Sequence, residues 1–326
     1  MRKRQTGFSL TELMIAAVIG LLLLGGVITI SISSSRTQRE LEQVGRQVEN
    51  GRYAIEFLGD SLRHAGYYGE YYQLASPPGA LPDPCSTALG DIEDAMPLPI
   101  QGYDNPTGVP PISCLSDAQH RDGTDILVIR RVSTSPTDIA SLTNNDLYLQ
   151  TRADSHVLAQ ATGSEDASSP GSFTLDKRDG STANIRKFHV EIYFIGPNAD
   201  NVPTLKRLMI GPAGGSLAFQ EQELVDGIEY FEIEYGIDRS GDGSPNETAA
   251  GTGDAYETTP TVAEFADVVA LKVHLVARSI GTLAGHTDTK TYDLGLETDV
   301  GPLNDGFRRR AYSMTTRATN IALRRE

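Results

Sequence analysis

The stretch RQTGFSLTELMIAAVIGLLLLGG, residues 4–26, opens a long apolar run from Phe8 to Ile32. As an α-helix, the 25 residues of this run extend about 37 Å, more than the ~30 Å hydrocarbon core of a bilayer. Arg2, Lys3 and Arg4 precede the run, and basic residues mark the cytoplasmic side of a transmembrane helix. The run is also longer than the apolar core of a cleaved secretory signal. It therefore predicts a retained membrane anchor, with the rest of the chain on the outer side.

One carboxylate, Glu12, lies near the start of this run. An acidic side chain at the centre of a bilayer costs about 2.5–3.5 kcal/mol on insertion scales. A cationic partner within the membrane would remove this cost. Alternatively, the side chain extends to the interface, which is about one helical turn away. The position of Glu12 thus calls for a partner that the anchor itself does not supply.

The order Gly7, Phe8, Ser9, Leu10, Thr11, Glu12, followed by an apolar helix, resembles the class III signal of type IV pilins and type II secretion pseudopilins. The resemblance implies that a prepilin peptidase cuts after Gly7 and methylates the new amino terminus on Phe8. It also implies that Glu12 pairs with the N-terminal ammonium of a neighbouring subunit. Such a pair relieves the cost of the buried charge only when the helices are correctly staggered. A carboxylate that reaches the interface remains the alternative.

The segment 36–66 continues the helix with an amphipathic pattern. Its apolar and small positions recur at alternating intervals of 3 and 4 residues: Leu41, Val44, Val48, Gly51, Ile55, Leu58, Leu62 and Ala65. This spacing predicts a helical stripe packed on a β-sheet, with a free coiled coil as the alternative. The segment also resembles the PilW family of minor pilins. The matching positions are Gln47, Asn50, Gly51, Arg52, Tyr53, Ala54, Asp60, Leu62, Arg63, Ala65, Gly66 and Tyr67.

The remainder of the chain is rich in strand patterns. Predicted strands lie at 124–132, 145–151, 187–195, 205–210, 227–238 and 267–280, with a weaker one within 308–323. Alternation of apolar and polar residues favours an antiparallel sheet with one face in water. The prediction is an α+β, pilin-like fold in which the long N-terminal helix covers the dry face. Its segments are a leader (1–7), a transmembrane and assembly helix (8–35), an amphipathic half-helix (36–66) and a periplasmic β-rich head (67–326).

Composition narrows the chemistry of the head. The chain of 326 residues has a formal net charge of -15, which argues against broad binding of nucleic acid. The two cysteines, Cys85 and Cys114, predict one disulfide in an oxidising compartment, and two free thiols are the alternative. Closing this loop of about 30 residues contributes roughly 3–4 kcal/mol on the chain-entropy model. No sequence motif of catalysis or nucleotide binding occurs, so we do not expect an enzyme.

One loop carries the side chains of a weak candidate metal site. Oxygen ligands for Ca²⁺ are available in the run 238–247, from Asp238, Ser240, Asp242, Asn246 and Glu247. The spacing departs from the EF-hand, because Ala249 stands at the twelfth position where that loop has glutamate. An acidic, glycine-rich hairpin loop without metal is the simpler interpretation, and we expect no other cofactor.

The resemblance to type IV pilins and the PilW family implies a minor pilin that helps to initiate type IV pilus assembly, in a priming or tip complex. The expected partners are other minor pilins, the major pilin, the inner-membrane assembly platform and the prepilin peptidase. The expected location is the inner membrane, in a single pass with a cytoplasmic N-terminus, and then the pilus fibre or tip. The alternatives are a minor pseudopilin of type II secretion and a pilus-tip adhesin or DNA-uptake module.

Overall fold

The computed structural model describes Gly7 and residues 9–245 and 253–325. Three residues of the predicted sites, Phe8, Asn246 and Glu247, lie outside these ranges. The chain divides into two compact units, with the boundary between Arg46 and Gln47.

The N-terminal helix α1 (Leu10–Arg63) is continuous over 54 residues, so the prediction of one long helix is confirmed. In the first unit its large apolar side chains are exposed, from Leu10 to Ile32. The predicted stripe is wrong at Leu41, which is 67% exposed. The buried face of α1 begins at Gln47, at the start of the second unit.

In the second unit, α1 packs closely because small residues line its buried face. A Cβ added at Gly51 would lie 2.2 Å from a ring carbon of Tyr312, and one at Gly59 would lie 2.6 Å from the sulfur of Met314. Leu58 and Leu62, on the same buried face of α1, are fully buried. The glycines therefore let two bulky side chains of one strand approach the helix backbone.

Two antiparallel sheets form the head, counted over the residues that the structure describes. The first has seven strands: β1 (Ile100–Tyr103), β2 (Ile126–Val132), β3 (Leu147–Arg152), β4 (Ser155–Gln160), β5 (Asn184–Pro197), β6 (Pro203–Ala213) and β7 (Ser216–Asp226). The second has four: β8 (Ile228–Ile237), β9 (Ala255–Glu257), β10 (Val268–Arg278) and β11 (Arg309–Arg317). The shorter helices are α2 (Leu89–Asp94), α3 (Thr319–Ala322) and 3₁₀ turns at Asp117–Gln119, Ile139–Ser141 and Glu264–Asp267.

The connectivity centres on two strands. The long strand β5 pairs with β2, β3 and β6, and β10 lies between β8 and β11. The main core joins α1 to both sheets: Leu58 and Leu62 pack in the same cluster as Tyr193 of β5 and Phe231 of β8. The α+β architecture with a helix on antiparallel sheets is thus confirmed.

The expectation of one wet sheet face fails on β8. On β8 the outward-facing Glu232 and Glu234 are only 2% and 3% exposed. The Leu296 N–H donates to Glu234 at 2.9 Å and the Lys272 ammonium lies 2.9 Å from it. A long connection between β10 and β11 therefore covers this face, which the alternating pattern of a single strand does not reveal.

Candidate functional site

The N-terminal site consists of Gly7, Glu12 and the start of α1. Glu12 lies in the first turn of the helix, and its Oε2 accepts the Ser9 backbone N–H at 2.9 Å. A carboxylate at this position satisfies a backbone donor that the helix leaves free and interacts favourably with the helix dipole. Glu12 therefore has a local role that sequence reasoning missed, although the Ser-x-x-Glu spacing of Ser9 and Glu12 is the usual signal for it.

This contact leaves most of the Glu12 carboxylate available. An ionised carboxylate has about four acceptor sites, and the Ser9 N–H occupies one of them. Cleavage after Gly7 would keep Ser9 in the chain, so capping and pairing with a second cation are compatible.

The apolar surface that follows Glu12 is suited to a membrane or to other helices. Within the described part of the chain, one helix is long and apolar enough to cross a bilayer, and its most apolar stretch has no buried residue. Large side chains such as Leu22 (71% exposed) and Ile30 (71% exposed) have no cover in the monomer. Surface of this extent requires lipid or neighbouring subunits.

The C-terminal end of α1 is fixed to the head by hydrogen bonds from its polar side chains. The Gln47 amide donates to the carbonyls of Ala277 and Arg308 at 2.8 and 2.9 Å. The Asn50 amide donates to the Asp226 carbonyl at 2.9 Å. These carbonyls lie at strand ends, so two of the polar positions that resemble the PilW family anchor the helix to the sheets.

The predicted disulfide is present. Cys85 and Cys114 are joined at an S–S distance of 2.03 Å. The segment between them contains α2 and β1 and contributes Ile92, Met96 and Leu98 to the buried interior. The cross-link therefore closes a segment that is part of the core.

The loop after β8 brings together Asp238, Asp242 and Asp254, here called the hairpin cluster, whose nearest carboxylate oxygens lie within 4.8 Å of one another. The sequence prediction named the first two and missed Asp254. Ser240, which it also named, donates its hydroxyl to Asp238 at 3.1 Å and to Asp254 at 3.0 Å. Asn246 and Glu247 lie outside the described residues.

Asp238 already has a cationic partner in its own chain. Its Oδ2 lies 2.8 Å from the Arg325 guanidinium and also accepts the Gly243 N–H at 3.0 Å, and its Oδ1 accepts the Gly241 N–H at 2.6 Å. Burial raises the pKa of Asp238, but Arg325 and these backbone donors outweigh it and hold the pKa below its usual range. Arg325 and the backbone N–H groups thus already supply the positive charge and hydrogen-bond donors that a metal ion would supply to Asp238.

The C-terminal arginines contact their own chain. Arg309 is paired with Glu229 at 2.5 Å, Asp288 at 3.0 Å and Asp305 at 2.6 Å. Arg325 also pairs with Asp267. These contacts use the basic C-terminal residues as internal counter-charges for an acidic head.

Comparison with known protein families gives two matches. The family model for Type IV Pilus-assembly protein W matches residues 192–320, which run from β5 to the start of α3. The model for the prokaryotic N-terminal methylation motif matches residues 2–28. The positions 47–67, where the sequence itself resembles PilW proteins, lie between the two ranges. No curated protein and no solved structure gave a match.

A methylation motif on an exposed apolar helix fits anchoring in the inner membrane and association with a pilus. Pilin domains are structural rather than catalytic, and their partners belong to the pilus machinery. The two matches, together with the long apolar helix and the antiparallel head, support a type IV pilus minor pilin of the PilW family.

Proposed function

We propose that this minor pilin helps to initiate type IV pilus assembly, as part of a priming or tip complex with other minor pilins. The observation that carries the proposal is the exposed apolar surface of α1 from Leu10 to Ile32, which begins beside the carboxylate of Glu12. A surface of this kind is stable in lipid and can exchange lipid for the matching helix of another subunit.

Before assembly, the chain crosses the inner membrane once, with the N-terminus cytoplasmic and the head periplasmic. The prepilin peptidase cuts between Gly7 and Phe8 and methylates Phe8. The segment 8–35 then packs beside the helices of other minor pilins and the major pilin, at the assembly platform. The amphipathic half-helix and the head make the lateral contacts of the subunit.

Glu12 sets the stagger between neighbouring helices in this proposal. Its carboxylate meets the N-terminal ammonium of an adjacent subunit, and the low dielectric of the membrane makes this attraction strong only when the two groups are close. The Ser9 N–H holds the carboxylate at the helix start, which reduces the conformational freedom lost on docking.

The two roles of Glu12 are separated by two substitutions. Glu12→Gln retains an oxygen that accepts the Ser9 N–H but has no charge, whereas Glu12→Ala removes both. We expect both variants to be processed and inserted normally and both to be lost from sheared pili. Incorporation of Glu12→Gln at the wild-type level would show that helix capping, rather than charge pairing, is what matters.

A deletion strain tests the initiation role. We expect surface fibres to be lost, and to return when the gene is supplied in trans. Normal fibres with impaired adhesion or DNA uptake would instead support a tip function, and normal fibres with impaired protein export would support a type II secretion pseudopilin. Either of these results would overturn initiation as the function.

A further inference from the structure

Three carboxylates meet where the segments beside β1 and β2 contact β8, away from the loop that the sequence singled out. Asp104 follows β1, Asp125 precedes β2, and Glu232 lies on β8. Their nearest carboxylate oxygens lie within 4.8 Å of one another. This group, here called the inter-sheet cluster, joins one strand end of the seven-stranded sheet to the middle of a strand in the four-stranded sheet.

The cluster is built into the fold rather than exposed on it. Asp125 and Glu232 are each 2% exposed. The Asp125 N–H donates to the Phe231 carbonyl at 2.8 Å, and the Ile233 N–H donates to Asp125 Oδ2 at 2.8 Å. Asp125 is therefore held to β8 by two hydrogen bonds, and these fix its carboxylate beside Glu232.

The donors that reach the cluster are neutral and few. Asn105 donates its backbone N–H to Asp125 Oδ1 at 2.9 Å and its side-chain amide to Asp104 Oδ1 at 3.2 Å. Glu232 Oε2 has no hydrogen-bond partner, although it is buried. Among the residues that the structure describes, no lysine, arginine or histidine forms an ion pair with any of the three carboxylates. A buried, unpartnered carboxylate oxygen in such a cluster is costly unless a cation or a proton joins it.

The surrounding charges make this cost larger. Burial raises the pKa of Asp125 to about 8 and that of Glu232 to about 10. Repulsion from the carboxylates of Asp104 and Glu297 contributes to both increases in pKa. A divalent cation would offset this repulsion between carboxylates and satisfy the free oxygen of Glu232.

We propose that Asp104, Asp125 and Glu232 bind a divalent cation, with Ca²⁺ as the preferred ion. Oxygens that ligate one Ca²⁺ at 2.3–2.6 Å lie at most about 5 Å apart, which agrees with the spacing of these carboxylates. The all-oxygen donor set disfavours Zn²⁺, which prefers nitrogen and sulfur. Mg²⁺ demands near-octahedral geometry and retains its waters, whereas three converging carboxylates in a fixed crevice suit the flexible coordination of Ca²⁺. The ion would tie the two sheets together.

The test uses the full-length protein in detergent micelles, stripped with EDTA and then dialysed. We expect millimolar CaCl₂ to raise the melting temperature by about 3–6 °C, and the same concentration of MgCl₂ to raise it less. Tb³⁺, which replaces Ca²⁺ and is excited through nearby tyrosine, gives a direct binding signal, because the chain contains 13 Tyr and no Trp.

Two variants assign the signal. Glu232→Gln keeps the shape of the side chain and removes its charge, so it should remain folded and lose at least ten-fold in Ca²⁺ affinity. The matched control is Asp242→Asn, an exposed residue of the hairpin cluster, which should bind Ca²⁺ as the wild type does. The proposal is overturned if wild-type protein shows no Ca²⁺-dependent shift, if Glu232→Gln keeps the wild-type affinity for Ca²⁺, or if Asp242→Asn loses it.

Discussion

The hairpin cluster and the inter-sheet cluster each bring three carboxylates within 4.8 Å of one another, yet they differ in their counter-charge. In the first, Arg325 comes from a position 87 residues further along the chain and lies 2.8 Å from Asp238. In the second, neutral groups of Asn105, Ile233 and Thr258 are the donors. Acidic clusters therefore cannot be ranked as metal sites by composition, because the partner of each carboxylate is decided by the fold.

The largest expected effect concerns the disulfide, which encloses Asp104 but not Asp238. Cys85→Ser together with Cys114→Ser should reduce the free energy of unfolding by about 3–4 kcal/mol, since the unfolded chain is no longer cross-linked. Urea denaturation measures this loss. Because Asp104 lies in the closed segment, Ca²⁺ affinity should fall as well. An unchanged unfolding midpoint would contradict a stabilising cross-link.

Next in size is the removal of the counter-charge from the hairpin cluster. Arg325→Ala leaves Asp238 buried without its guanidinium and should cost about 2–3 kcal/mol, although the backbone donors remain. Chemical denaturation at neutral pH measures this difference. Arg310→Ala is the control, because Arg310 is exposed and contacts only the Tyr312 ring among the interactions described, and it should cost less than about 0.5 kcal/mol. Equal losses in the two variants would remove the distinction between the clusters.

A smaller effect of opposite sign is expected in the inter-sheet cluster. In EDTA, Glu232→Gln should stabilise the protein by about 1 kcal/mol, since it removes a buried acidic group that has no cationic partner. In excess Ca²⁺ the same variant should be less stable than the wild type. The comparison of unfolding midpoints in the two buffers gives the answer, and an identical sign in both would contradict the proposed site.

The smallest effects are those of pH, and the two clusters should respond in opposite directions. The folded pKa of Asp238 is lowered, so its contribution to stability is present above the unfolded pKa of about 3.9 and is lost as pH falls through the folded value. The folded pKa of Glu232 is raised, so in EDTA the protein loses stability as pH rises above the unfolded pKa of about 4.3.

Denaturation at a series of pH values checks both signs. The stability difference between wild type and Asp238→Asn should narrow as pH falls from 5 to 2. The difference between wild type and Glu232→Gln in EDTA should widen between pH 5 and pH 8. Parallel pH profiles for the two variants would contradict the opposite signs of the pKa shifts of Asp238 and Glu232.

The local parts of the structure could be predicted well because their causes are local. The apolar run from Phe8 predicts a helix and an anchor by length and composition, and the 3–4 spacing predicts the buried face of α1 near Leu58 and Leu62. The strands β5, β8 and β10 follow from alternation. Even the Ser9–Glu12 contact has a local signal, which is the spacing of the two residues.

The remaining features depend on what each element meets. Leu41 continues the apolar stripe but is exposed, and the pattern does not show where along α1 burial begins. Glu232 and Glu234 alternate like residues on a wet face, yet distant segments cover them. Asp254 and Arg325 join Asp238 from far along the chain, so their contacts are not encoded in any short window.

The sequence by itself thus determined the apolar anchor segment, the long helix, the β-rich head and the pairing of its two cysteines. Hydrophobic periodicity is a local pattern, and two cysteines allow only one intramolecular pairing. Only the tertiary structure decided which carboxylate forms an ion pair with an arginine, and which carboxylates meet one another beside β8 without one. The reason is that burial and counter-charge belong to the space around a residue, and that space is filled by segments far away in the chain.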